Sequence, residues 1–555
     1  MKSKVTDAEL QNLPACVQEY IKLVIKKMRY RKKVRIEVMA ELAAHFEDEL
    51  RDCKTDEEKE QKAQKLIEQF GDAKLLAILL RRAKKRCRPL WRTVLVRAFQ
   101  AVSVFLIIYL IWFSSGRPAI TVDYIAECNK LTRPSADESL NAAPLYQKAV
   151  ELLEQHLKSS DKILDLMLSK KYEDANSEQK QPVEKWLTDN KEILDLVVAG
   201  TKKPYWWQNY KSTCGSDMMG VLAPHLNEYR NLAYSLCWRA QFRAQGNRSE
   251  EAFDDIKSCC RFGRNVRKGD KSLVEQLIGI AIEAKSVQTL RSILGEHQID
   301  SAASAQLQKD FEQMITGENF VISFKAEKLC WYDRIQRCFT EGGLGGGHPY
   351  PPAFRKMAEI YQGINVKKNW FADYCENLGT AISFLLGLSP GRTETLKSVN
   401  GLHDFLDSEF ALKTPAQVQT QKAEIDKRVK QLTGRNFLIR LTVPAFEKVF
   451  EISSRLKTEV EATTTIIALL RYKQDKGQYP QNLDELKQAG YIKEIPIDPF
   501  SDKPLVYKKT DENFILYSVG LNFKDDGGQV GEDYKGKVKL WADEGDAVFW
   551  PVKKN

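Results

Sequence analysis

One segment limits what this chain can fold into more than any other. The stretch VLVRAFQAVSVFLIIYLIWF, residues 94–113, holds 20 residues with a single charge, Arg97. As a helix rising about 1.5 Å per residue it reaches about 30 Å, the thickness of a bilayer's hydrocarbon core. Arg97 lies near the start, where its stem can carry the charge to the interface. Trp91 precedes the run, and Tyr109, Trp112 and Phe113 close it, as interfacial aromatics do. The run begins more than 90 residues into the chain, which argues against a cleaved signal peptide. These features predict one transmembrane helix over residues 93–114. The competing reading is a buried helix of a soluble protein.

The sequence RRAKKRCRPLWR, residues 81–92, stands directly before this run, whereas SSGRP after it carries one charge. A basic block on one side of a span marks the cytoplasmic side. Residues 1–92 are therefore expected in the cytoplasm, the span in the inner membrane, and about 440 residues outside the cytoplasm. The net charge of +10 would otherwise suggest nucleic acid. Its densest part is the block beside the span, and no nucleic-acid module is recognisable, so a nucleic-acid partner is not expected. With 555 residues, 43% hydrophobic and 29% charged, the chain has the make-up of several folded domains.

Residues 16–86 read as helices. CVQEYIKLVIKKM puts Val17, Ile21, Val24 and Met28 on one face, and the next helix repeats the pattern with Val34, Val38, Leu42, Phe46 and Leu50. Gly71-Asp72 forms a stop and N-cap pair. Glu37, Glu41, His45 and Glu49 fall on one helix row. A solvated polar face explains the row better than a metal, since no second ligand row accompanies it. With RYRKKVR, EL..HFEDEL and FGD...LA..L, the segment resembles the HAAS-type helical domains that precede single bacterial spans. That resemblance implies a regulatory or protein-binding role.

From 119 to about 440 the pattern is helical with short polar breaks. RNLAYSLCWRAQFRAQGNRSEEAFDDIKSCCRFGRNV, residues 230–266, reads as helix, turn at Gly246-Asn247, helix. It resembles one tetratricopeptide-type hairpin, with Ala240, Gly246 and Ala252 near the close-packing positions. No 34-residue period recurs, so an irregular helical array is expected rather than a solenoid. FTEGGLGGGHPYPP, residues 339–352, lacks the flanking strand and the Lys-Ser/Thr of a phosphate loop and reads as a flexible loop or lid. CGSDMMG, residues 214–220, does not fit a nucleophile motif. The histidines show no metal spacing. Of eleven cysteines, eight lie beyond the span: Cys128, Cys214, Cys237, Cys259, Cys260, Cys330, Cys338 and Cys375. An oxidising compartment permits disulfides there, but burial as free thiols is an equal reading.

Beyond Pro444 the pattern changes to one long helix ending at Gly477, a short helix over NLDELKQAG, then strand-like runs PLVYKKT, NFILYSVG, KVKLW and DAVFW. This order predicts an α+β unit over 445–555. Tyr472, Asp475, Gly477, Tyr479 and Pro480, followed by Asp498, Pro499, Phe500, Pro504 and Tyr507, resemble the helix-end and D-P-[WF]-x-x-P-x-x-Y blocks of the type II secretion major pseudopilin. The expected architecture is thus multidomain: a helical domain over 1–92, one transmembrane helix, an irregular helical region over 119–440, and a pseudopilin-like α+β domain. In that family a short basic leader is cut away and the apolar helix that follows it packs into a filament. Here the pilin-like helix lies about 330 residues after the span, so filament assembly through a buried N-terminal helix is not expected.

The family's loop after S-x-G binds calcium. By that resemblance Asn522 and Asp546 are candidate ligands, and Asp525 and Asp526, which lie between them, are candidates to replace the carboxylates the family has and this chain lacks. Calcium needs six to eight oxygens, and Gly527, Gly528 and Gly531 would let the loop wrap an ion. Read from its residues alone, the segment is an acidic turn. The expected role is non-enzymatic: binding, scaffolding or signalling at the membrane through protein partners. Two other roles are a component of a type II secretion or pilus-like machine, and an envelope hydrolase with its site near GGLGGGHPY.

Overall fold

The computed structural model describes residues 10–86, 90–211, 217–221, 225–297, 301–315, 320–353, 370–533 and 535–552. The chain divides into two compact units, Met1–Trp112 and Phe113–Asn555.

In the first unit, α1 (Ala15–Lys27), α2 (Lys32–Leu50), α3 (Asp56–Phe70) and α4 (Ala73–Arg86) precede the apolar α5 (Leu90–Ser115). Val17, Ile21, Val24 and Met28 are buried, with Val38, Leu42, Phe46 and Leu50 opposite them. The heptad-like spacing of the sequence is thus the stripe that makes the core. Gly71 ends α3 at φ +74, a conformation that costs a Cβ-bearing residue energy. Asp72 then caps α4 by accepting from the N–H of Leu75 at 3.0 Å. The Glu37, Glu41, His45 and Glu49 row is exposed, and Glu41 pairs with Lys84 at 2.6 Å.

The second unit is mainly helical and finishes in a small antiparallel sheet. Its helices are α6 (Tyr124–Thr132), α7 (Ala143–Ser169), α8 (Ser177–Asp189), α9 (Lys191–Thr201), α10 (Met218–Val221), α11 (Leu226–Gln245), α12 (Ser249–Arg267), α13 (Leu273–Glu296), α14 (Ser301–Ile315) and α15 (Lys325–Cys338). After these come α16 (Trp370–Leu385), α17 (Arg392–Phe405), α18 (Pro415–Thr420), α19 (Lys422–Thr433), α20 (Phe437–Lys476) and α21 (Leu483–Gln488). The α11–α12 hairpin buries Ala240 and Ala252 completely. The left-handed residue of its turn is Asn247 at φ +56 rather than Gly246. Asparagine tolerates that region better than other side chains do.

Helices α12 and α13 meet at Gly263 and Gly279, where a Cβ on either would lie within 2.7 Å of the other's carbonyl oxygen. One turn further, Arg267 and Glu283 form a buried ion pair across the same crossing.

Helix α20 is 40 residues long and runs through Pro444. The expected start at the proline is therefore too late. Ile439, Val443, Phe446 and Phe450 keep one buried stripe on both sides of Pro444, and tertiary burial outweighs the lost hydrogen bond. Gly477 ends the helix in the left-handed region, φ +78. From Val460 to Leu469 the helix is buried nearly all round, because α13 and α14 cover one side and the sheet another. One core therefore joins the helical array and the C-terminal sheet.

That sheet is β3 (Val506–Lys509), β4 (Phe514–Ser518) and β5 (Ala547–Trp550) in the order 3-4-5, after a two-residue ribbon of β1 (Ile497–Asp498) and β2 (Lys503–Pro504). Strand β4 pairs both neighbours antiparallel, Val506 with Tyr517 and Leu516 with Trp550. KVKLW is not a strand. Its backbone turns back on the preceding loop, Lys539 N–H donating to Gly531 at 3.0 Å, and Trp541 swings into the core. There the Trp541 indole donates to Glu459 at 2.8 Å, and Glu459 also takes Arg291 from α13 at 2.8 Å. All three are buried.

Candidate functional site

The loop after β4 is where a cation was expected. Tyr517, at the end of β4, donates its hydroxyl to Asp525 at 2.7 Å, and the Gly527 N–H donates to the same oxygen at 2.9 Å. The Tyr517 hydroxyl, more than the amide, holds the Asp525 carboxyl below its usual range. The Asn522 amide donates to Asp526 at 2.7 Å and its oxygen accepts from the Lys524 N–H at 3.0 Å. Asp546, 1% exposed, accepts from the N–H of Asp526 at 3.1 Å and of Gly528 at 2.6 Å. Burial pushes its pKa up despite those donors, and the neighbouring Asp525 and Asp526 add to the shift.

The four expected ligands are thus brought into one loop, but their oxygens face N–H and O–H donors. The charge of the loop suits a cation, and calcium would need six to eight of its oxygens turned inward. Among the described residues no group of three His, Cys, Asp or Glu side chains is set to hold a metal ion. Asp546 acts here as the pin of the turn, with Gly527 and Gly528 at φ +79 and +91 presenting their amides to the carboxylates. Asp546→Ala is expected to lower stability by about 2–3 kcal/mol, the worth of bonds to a charged acceptor. The loss should be equal in calcium and in chelator when thermal unfolding is followed. A calcium-dependent rise in the wild-type transition that the variant lacks would show that the loop rearranges around an ion.

The motif residues nearby are used inside the fold. Asp498 is buried and accepts from the N–H of Phe500 at 3.1 Å, the N–H of Val519 at 3.0 Å and the Ser518 hydroxyl at 2.8 Å. It ties the D-P-F turn to the end of β4, a role that spacing alone did not reveal. Tyr507 donates to the Pro480 carbonyl at 2.7 Å, and Tyr479 packs edge-on against Phe514.

A second feature lies beside residues 339–352. A cavity of about 510 Å³ is lined chiefly by apolar side chains, among them Trp331, Ile335, Phe339 and Ile439, with the guanidinium-bearing Arg334 and Arg435. Burial pushes the Cys338 thiol on its wall up to about 12. The glycine-rich loop is tied down at both ends. Thr340 and His348 bond across it at 3.0 Å, and Arg392 N–H reaches Gly347 at 3.0 Å. Its turn uses Gly342, Gly343, Gly345, Gly346 and Gly347, all with positive φ. His348 is not aimed into the cavity; its ring stacks on Phe113, centroids 4.1 Å apart.

Cys128, Cys237, Cys259, Cys260, Cys330 and Cys338 are free, buried thiols, Cys237 and Cys259 lying 3.8 Å apart. Residues 212–216, with the Cys-Gly-Ser of CGSDMMG, lie outside the described residues, as does the side chain of Cys375.

No protein-family model matches the chain, and neither does any curated protein or solved structure compared with it.

Proposed function

We propose that this chain is a single-pass, membrane-anchored protein that works by binding, scaffolding or signalling, with residues 1–92 in the cytoplasm, residues 93–114 in the membrane and the rest of the chain outside. The observation that carries the reading is the apolar helix. Within Thr93–Ser115 the most apolar 18-residue window has a mean hydropathy of 2.3, and only 6% of that window is covered by protein. Phe99 is 74% and Ile111 65% exposed. A soluble protein's core helix of this composition would be covered, and a bilayer is the solvent that removes such a surface from water. The basic block before it sets the orientation.

The outer unit would present the pseudopilin-like helix and sheet on the helical array. The motif residues support a likeness of fold more than of docking, since Asp498, Tyr507 and Tyr479 are spent on contacts within the unit. A place in a secretion machine therefore stays the second reading. The cavity beside residues 339–352 offers apolar walls and two guanidiniums rather than a paired acid and base, which suits an apolar or amphiphilic ligand better than hydrolysis.

Protease protection on spheroplasts, with a tag at each end of the full chain, tests the anchor. External protease is expected to remove the C-terminal tag and to reach the N-terminal tag only after lysis. The reverse pattern, or protection of both ends, would overturn the orientation.

A further inference from the structure

Helices α11 and α12 close their hairpin over two sulfurs. Cys237 of α11 and Cys259 of α12 stand 22 residues apart in the chain, and their Sγ atoms lie 3.8 Å from each other. Both are buried, in one core with Tyr146, Leu236 and Phe262. Cys260, the next residue, belongs to the other core, with Leu290 and Ile466. The Cys259 sulfur also lies 3.4 Å from the Ala233 carbonyl oxygen, across the same helix pair. Ala240 and Ala252, both fully buried, follow and precede the two cysteines by one and two turns. With so little side chain between them the backbones approach closely, and two short thiol side chains can meet.

We propose that Cys237 and Cys259 are a disulfide-forming pair that staples α11 to α12. Only the oxidising compartment rests on the outward placement proposed above; the sulfur geometry does not depend on it. A disulfide bond is about 2.05 Å long, so the two sulfurs must approach by about 1.8 Å. Rotation about the two Cα–Cβ bonds moves the sulfurs on that scale. Burial sets the moment of closure. Ser286 and Thr289 of α13 face Cys237, so the oxidant must reach the sulfurs before α13 packs over them. The contact between α11 and α12 is local in the chain and needs no distant segment to form.

The oxidant is itself a disulfide, RSSR, carried by a small molecule or by a thiol oxidase. The Cys237 thiolate attacks one sulfur of RSSR, giving a mixed disulfide and releasing RS⁻. Cys259 then loses its proton to solvent, attacks the Cys237 sulfur and expels the second RS⁻. Two thiols thus give up two electrons and two protons, and the oxidant becomes two RSH. The bond closes a loop of 22 residues and removes freedom from the unfolded chain. Once α13 is in place the bond lies out of reach of soluble reductants.

The bond is sought in the full chain made by two routes: extraction from cell membranes, and cell-free synthesis into nanodiscs in a buffer of oxidised and reduced glutathione. Free thiols are blocked with N-ethylmaleimide under denaturing conditions, and tryptic peptides are mapped without reduction. Peptide 231–239, which holds Cys237, is expected joined to peptide 258–261, which holds Cys259 and Cys260. Cys260→Ala should keep the link and Cys259→Ala should abolish it. Reductant should lower the thermal transition of the wild type by several degrees and leave that of Cys237→Ala where it is. The link by either route supports the pair. If cell-free synthesis gives the link and the membrane-extracted chain carries maleimide on both residues, the pair stands and the outward placement falls. Maleimide on both residues by both routes overturns the pair, as does a bond from Cys237 or Cys259 to any other cysteine.

Discussion

Glu459→Ala is expected to destabilise the second unit by about 3–5 kcal/mol, because it leaves Arg291 buried without its counter-charge. Arg291 is 3% exposed and Glu459 6%. The carboxylate takes the Arg291 guanidinium at 2.8 Å on one oxygen and the Trp541 indole at 2.8 Å on the other. Arg291 also reaches the Thr463 hydroxyl at 3.0 Å. Three segments far apart in sequence thus meet at one carboxylate: α13, α20 and the loop before β5. Chemical unfolding of the full chain, followed by tryptophan fluorescence, measures the loss. Glu459→Gln should cost less, since an amide oxygen can still accept from Trp541. Replacing both charges, as in Arg291→Met with Glu459→Leu, should recover much of the loss, because an apolar pair carries no desolvation penalty. A Glu459→Ala midpoint equal to the wild type would mean the network holds nothing.

The second large effect is expected at the crossing of α12 and α13. Alanine normally stabilises a helix by about 1 kcal/mol relative to glycine. At Gly279 the sign should reverse. Its added Cβ would lie 2.4 Å from the Gly263 carbonyl oxygen and 2.6 Å from the Arg267 backbone nitrogen. Backbone cannot rotate aside as a side chain can, so the helices must separate and loosen the buried Arg267–Glu283 pair. Overpacking of this kind costs about 1–3 kcal/mol or more. Gly379→Ala is the control, since a Cβ there meets nothing within 4 Å. The comparison is read from unfolding midpoints: Gly279→Ala below wild type, Gly379→Ala at or above it. Equal shifts would show that α12 and α13 do not depend on the contact.

Much of the local structure was legible in the residues. The buried face of α1 follows from the spacing of Val17, Ile21, Val24 and Met28, and the ends of α3 and α20 from Gly71 and Gly477. These are signals carried within one or two helical turns, where sequence distance and spatial distance agree. KVKLW failed for the opposite reason. Its alternation suits a strand, but a strand needs an edge to pair with, and Trp541 had a better place against Glu459. The acidic loop was legible as a cluster and not as an arrangement. Composition put Asp525 and Asp526 together, and the pseudopilin resemblance added Asp546; only the fold showed that Asp546 spends both oxygens on the amides of Asp526 and Gly528.

By itself the sequence determined the apolar helix and its basic flank, the helical character of the chain, and the order of long helix then strands at its end. Each depends on periodicity, capping or local composition. The tertiary structure alone decided that α20 lies between the helical array and the sheet, that Gly263 meets Gly279, and that Phe113 packs beside Phe384. Those facts depend on side chains separated by 16 to more than 250 residues. Nothing local to either partner records such a meeting, because its energy exists only once the chain has folded.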